Sequence, residues 1–104
     1  MQWQTRDHLI KSSKIYRELH VNKRKLLQKL IAGSKNIRFN EATTIAEAFG
    51  FRLDRISGGH HIFLHPDLPE LVNLQNVKGK AKPYQIKQLL KIIEKHNLYM
   101  QDSE

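Results

Sequence analysis

Two glycines in succession, Gly58 and Gly59, separate two runs of strand character, and no other stretch limits the chain's fold as much. On one side, Phe51-Arg52-Leu53-Asp54-Arg55-Ile56 alternates apolar and charged residues with period two. On the other, His60-His61-Ile62-Phe63-Leu64-His65 is an apolar run opened by a histidine pair and stopped by Pro66. Glycines accept the backbone conformations of a tight turn, so this spacing predicts an antiparallel hairpin. Alternation along the second strand puts His60, Ile62 and Leu64 on one face and His61, Phe63 and His65 on the other. Phe63 is the largest apolar side chain of the run, so its face is expected to meet the helices, leaving His60 on the open face or its rim, although Ile62 and Leu64 argue for the opposite choice. A histidine presented at a turn can exchange a proton near neutral pH, which a lysine or arginine there could not. The plainer alternative is a packed or solvated histidine.

The remaining elements arrange themselves around that hairpin. Asn22 can cap a helix running to Ala32, with Leu26, Leu27, Leu30 and Ile31 on one face and Gly33 in the left-handed position at its end. Asn40 can cap a second, in which Ala42, Ile45, Ala46 and Phe49 take amphipathic spacing and Gly50 closes the element. Because a period-two run follows, a helix-turn-helix DNA reader is disfavoured. Pro66 to Glu70 is loop chemistry, and Leu71 to Leu74 is a third strand. Pro83 suits the first position of a final helix, where Ile86, Leu89, Leu90 and Ile93 repeat the helical spacing until Asn97. The order predicts an α+β fold, α-β-β-β-α, with a three-stranded antiparallel sheet covered on one face by helices, as in double-stranded-RNA-binding domains. One domain is expected over residues 37–100, preceded by an N-terminal extension over 1–36 that contains the helix at 22–32, and followed by a flexible tail over 101–104.

Charge narrows the partners. Against 10 acidic residues stand 18 lysines and arginines, a net charge of +8, and such an excess in 104 residues favours polyanions, nucleic acid above all. Lys78, Lys80 and Lys82 alternate around Gly79, a segment able to bring ammonium groups to phosphates; a disordered, solvated loop is the alternative. With no cysteine, disulfides, thiolate zinc sites and thiol nucleophiles are excluded. His60, His61, His65 and Asp67 are close in sequence, yet neighbours on a strand face opposite ways, so no metal and no cofactor are expected. No run is apolar enough to span a bilayer and no signal-peptide pattern opens the chain, so a cytoplasmic protein without a membrane partner is expected.

Taken together, Gly58-Gly59-His60-His61-Ile62-Phe63, then His65-Pro66-Asp67, then Lys78-Gly79-Lys80 and Lys82-Pro83 opening the last helix, resemble the HicA (YcfA-like) family of mRNA interferase toxins from bacterial toxin-antitoxin pairs. The resemblance runs from about Arg38 to about Leu98. It implies that His60 is the catalytic histidine, and that the chain cuts mRNA to arrest translation. Gly59 stands where the family usually has serine, which removes a hydroxyl from that position. The resemblance also implies a HicB-like antitoxin that covers the site, and it admits a higher-order toxin-antitoxin complex.

RNA carries its own nucleophile, so a single base acting on a ribose 2′-OH can cleave it without metal. In that chemistry His60 is the base, Gly58, Gly59, Lys78, Lys80 and Lys82 contact RNA phosphates, and His61 or a lysine assists the leaving group. A non-catalytic double-stranded-RNA-binding module is the alternative, since charge and fold would suit both.

Overall fold

A computed structural model describes residues 22–100. The N-terminal segment up to residue 21, read above as part of an extension, and the tail at 101–104 lie outside the described residues. The elements run α1 (Asn22–Ala32), α2 (Phe39–Ala48), β1 (Arg52–Ser57), β2 (His60–Leu64), β3 (Val72–Gln75) and α3 (Pro83–Lys95). This is the expected α+β arrangement, with an open antiparallel sheet ordered β1-β2-β3. No helix among the described residues is long and apolar enough to cross a membrane.

The core forms where the apolar faces meet. Ala42, Ile45 and Ala46 of α2 and Ile86 and Leu89 of α3 are fully buried against Phe63, Val72 and Leu74 of the sheet. The small alanines let α2 lie close to β3, and α3 packs on the same strand. Each fully buried leucine, isoleucine or phenylalanine here contributes about 1.5–3 kcal/mol relative to exposure. Leu30 of α1 joins the same cluster.

Helix ends follow sequence rules in part. At the end of α2, Gly50 takes φ 99° while its amide donates to the Glu47 carbonyl and the Phe51 amide donates to Ala46, the Schellman pattern. Asn97, at φ 51°, closes α3 by the same pair of bonds, to Glu94 and, through Leu98, to Ile93. Gly33, however, is not left-handed: its amide still donates to Lys29, and the positive φ (61°) falls on Asn36. Nor does Asn40 cap α2. It lies inside the helix, where its carbonyl accepts the Thr43 and Thr44 hydroxyls.

The start of α2 is set two residues earlier. Arg38 is extended, and its amide donates to the Glu41 carboxylate at 2.9 Å, one half of a capping box. The same carboxylate pairs with Lys29 of α1 at 3.0 Å. Partial burial works against ionisation of Glu41, but the Arg38 amide and the Lys29 ammonium outweigh it and hold the carboxyl below its ordinary value. Backbone bonds from Phe39 to Gly79 (2.8 Å) and from Ala81 to Ile37 (2.9 Å) fix the strand-like approach to the helix. A local capping rule cannot see that long-range ladder.

A second clamp closes the other end of the molecule. Glu70, in the loop before β3, accepts from Lys95 at 2.8 Å and pairs with His96 at 3.0 Å. The Lys95 ammonium, with His96 beside it, holds the Glu70 carboxyl down to about 2.

Candidate active site

The hairpin turn is the pivot of the site. Gly58 and Gly59 have φ of 55° and 85°, both positive, as a two-residue type I′ turn requires, and Ser57 pairs directly with His60 across it. Register then assigns every side chain to a face, because residues paired across strands point the same way. On one face lie the rows Ser57–His60–Gln75 and Arg55–Ile62–Asn73; on the other lie Ile56–His61–Leu74 and Leu53–Phe63–Val72. Phe63 and Leu74 are in the core, so the second face is the one under the helices, and His60 is on the face turned away from them, where Ile62 is itself only 9% exposed.

β1 departs from the simple pattern. The register jumps from Leu53↔Phe63 to Arg55↔Ile62, so Asp54 is the extra residue of a bulge, and period two fails across it. All six residues of β1 are exposed, because the strand lies at the sheet edge, beside β2 only, while α2 and α3 pack on β3. Arg55, on the open face, is paired to Asp54 at 2.7 Å.

The three histidines of the hairpin have three different surroundings. His60 is half-buried, and its Nδ1 lies 3.1 Å from Oδ1 of Asn73 on β3. An amide oxygen only accepts, so Nδ1 is the donor of this bond, and in the neutral ring the lone pair is then on Nε2. His61 points to the helix face; its ring meets Phe39 edge-on at 4.6 Å and its Nδ1 lies 3.4 Å from the Gly59 carbonyl. His65 is 7% exposed and uses both nitrogens: Nε2 donates to the Phe49 carbonyl and Nδ1 accepts the Asp67 amide, each at 3.1 Å. Its ring also packs edge-on against Phe51. The His65-Pro66-Asp67 segment is thus a structural knot that binds the end of β2 to the end of α2. The structure separates His60 from His61 by the thickness of the sheet and gives His65 a packing role.

The lysine segment is ordered. Val77 and Lys80 exchange backbone bonds of 2.8 and 3.0 Å around a turn in which Lys78 and Gly79 have φ of 53° and 87°. The Asn76 side chain accepts the Gly79 amide at 2.7 Å. Since β3 ends where β2 begins, this turn leaves the sheet at the same end as Gly58-Gly59 and His60. Its three lysines fan out: Lys78 is at the tip, Lys80 donates to Asn36 at 3.0 Å, and Lys82 lies over the Tyr84 ring at 5.9 Å. Sequence reasoning missed Asn73 and Gln75. Alternation with the buried Val72 and Leu74 assigns both to the other face, but their places beside His60 depend on a β2–β3 register that seven intervening loop residues hide.

A family model for the HicA toxin of bacterial toxin-antitoxin matches residues 39–94, from the first turn of α2 to the end of α3. The chain belongs to the HicA toxin family. It is a toxin of a toxin-antitoxin system, and membership implies an antitoxin as partner. The matched span contains the glycine turn, His60, Asn73 and the lysine turn, so the open-face row lies wholly within the HicA region. Comparison with curated proteins finds no relative that matches.

Proposed function

We propose that this HicA toxin is a metal-independent endoribonuclease, an mRNA interferase in which His60 is the catalytic base. The observation that supports the reading is the His60–Asn73 hydrogen bond, which in the neutral ring leaves Nε2 free to accept a proton on the sheet face turned away from the helices. Nε2 takes the proton of a ribose 2′-OH, the 2′-oxygen attacks the adjacent phosphorus, and the bond to the 5′-oxygen breaks. The products are a 2′,3′-cyclic phosphate and a 5′-hydroxyl, with no external nucleophile consumed. Backbone amides of the Gly58-Gly59 turn and the ammonium groups of Lys78, Lys80 and Lys82 bind RNA phosphates and oppose the charge that develops at phosphorus. His61 opens onto the opposite face, so the leaving 5′-oxygen takes its proton from a lysine of the turn or from water.

In this reading the toxin acts in the cytoplasm, where cutting mRNA inhibits translation. The antitoxin is HicB-like, covers the open face with an acidic surface matched to the +8 charge, and builds a higher-order complex with the toxin. The test is incubation with single-stranded RNA in excess chelator, beside the same RNA with 2′-deoxy substitutions. Cyclic-phosphate ends from the first and resistance of the second are expected. Cleavage of the deoxy substrate, or a requirement for added metal, overturns the mechanism.

A further inference from the structure

The first turn of α3 contains an arrangement that the cleavage chemistry does not use. Gln85 is 1% exposed at a position where leucine would fill the same space. Burying an amide is costly unless every polar atom finds a partner, and here each does. Its Oε1 accepts the backbone amide of Gln75 at 2.8 Å, while its Nε2 donates to the Gln75 side chain at 3.3 Å and reaches the Tyr84 hydroxyl at 3.5 Å. Gln75 is the residue directly opposite His60 in the sheet register. The buried amide therefore fastens the first turn of α3 to the outer edge of β3, level with His60, and fixes Tyr84 next to that row. Tyr84 itself is not part of the core: it is 54% exposed, whereas Ile86 and Leu89 of the same helix are fully buried. The ammonium of Lys82 lies 5.9 Å from the ring centroid.

We propose that Tyr84 and Lys82 form a nucleobase subsite for single-stranded RNA, in which a base beside the scissile phosphate stacks on the Tyr84 ring and Lys82 meets the adjoining phosphate. The proposal rests on the RNA-cleaving reading and adds to it the residues that would hold an unpaired base. An exposed aromatic beside an ammonium group is how sequence-tolerant single-strand sites hold a nucleotide, since every base has a π-face and every link a charge. A duplex, whose bases are stacked already, offers this ring nothing.

The test measures equilibrium binding of a non-cleavable, single-stranded 2′-O-methyl RNA to the full chain, with inorganic polyphosphate as a base-free polyanion. Tyr84→Ala and Tyr84→Leu should each weaken oligonucleotide binding about tenfold, the effect of one lost stacking partner, and leave polyphosphate binding unchanged. Tyr84→Phe keeps the ring and loses only the hydroxyl contact to Gln85, so it should retain most of the oligonucleotide affinity that Tyr84→Ala loses. Lys82→Ala should weaken both ligands and lower the salt dependence of each. Unchanged oligonucleotide affinity in Tyr84→Ala overturns the subsite while cleavage by the parent chain leaves the nuclease reading standing. An equal loss with polyphosphate, a loss in Tyr84→Phe as large as in Tyr84→Ala, or a loss confined to antitoxin binding also overturns it. Failure of the parent chain to bind or cleave RNA ends both readings, and that result is distinct from the others.

Discussion

The two faces of the sheet treat the same side chain in opposite ways. On the open face His60 gives one nitrogen to Asn73 and keeps the other, whereas under the helices His65 commits both, to Phe49 and to Asp67. Reactivity of an imidazole is decided by its second nitrogen, and here four residues of one hairpin arm separate a ring with one uncommitted nitrogen from one that pins two elements together. His61, between them in sequence next to His60, belongs to the packed face through Phe39.

Substitutions can break that contrast. Removing the proposed base with His60→Ala should lower RNA cleavage by about 10²–10⁴-fold, the usual worth of general-base catalysis, with an unchanged melting temperature; full cleavage by the variant would exclude His60 from the reaction. His65→Ala should do the reverse, costing about 2–4 kcal/mol through a cavity and two orphaned partners. Calorimetry would read this as a fall in Tm on the order of 10 °C or more, with activity per folded molecule retained. Asn73→Ala should sharpen the comparison: losing one orienting hydrogen bond is worth roughly 1 kcal/mol, or up to about tenfold in rate, with little change in stability. Asn73→Asp would favour the protonated ring and move the acid limb of the pH–rate profile upward, a response that a merely packing Asn73 would not produce.

Smaller effects test the frame around the two faces. Gly59 is at φ 85° with open space around the position of a Cβ, so Gly59→Ala should lose about 1 kcal/mol from backbone conformation alone, measured by urea unfolding. Glu70 gives the smallest effect. Its carboxyl is held at about 2 against an ordinary 4.5, so its contribution is complete above about 4.5 and is lost as pH falls through about 2. Glu70→Gln should therefore flatten the acid limb of stability in that window, and added salt should shrink the difference, since the pair is solvent-facing.

Much of this architecture was legible in the residues. Gly58-Gly59 predicts the hairpin, Gly50 and Asn97 the helix ends, and Phe63 the buried face, because each rests on a local backbone or burial preference. Where a distant segment decides the outcome, local reading fails. Asn40 is a good cap by composition, yet the bridge between Arg38 and Lys80 starts the helix earlier. The alternation of β1 is broken by a bulge at Asp54 that only the partner strand defines. His60 stood out from its turn, while Asn73 did not, since nothing in the chain announces which residue of β3 will stand beside the ring.

The pairing of Arg38 with Lys80, and of Asn36 with Lys80, also bears on the order in which the molecule is made. A ribosome exposes the segment before α2 long before it releases the lysine turn, and contacts between such distant parts of a chain form late. The glycine hairpin can close early, but a growing polypeptide has no cationic rim and no Gln85 to fasten the far edge of its sheet. The candidate site is thus complete only once segments far apart in the chain have met, later than the hairpin that carries His60.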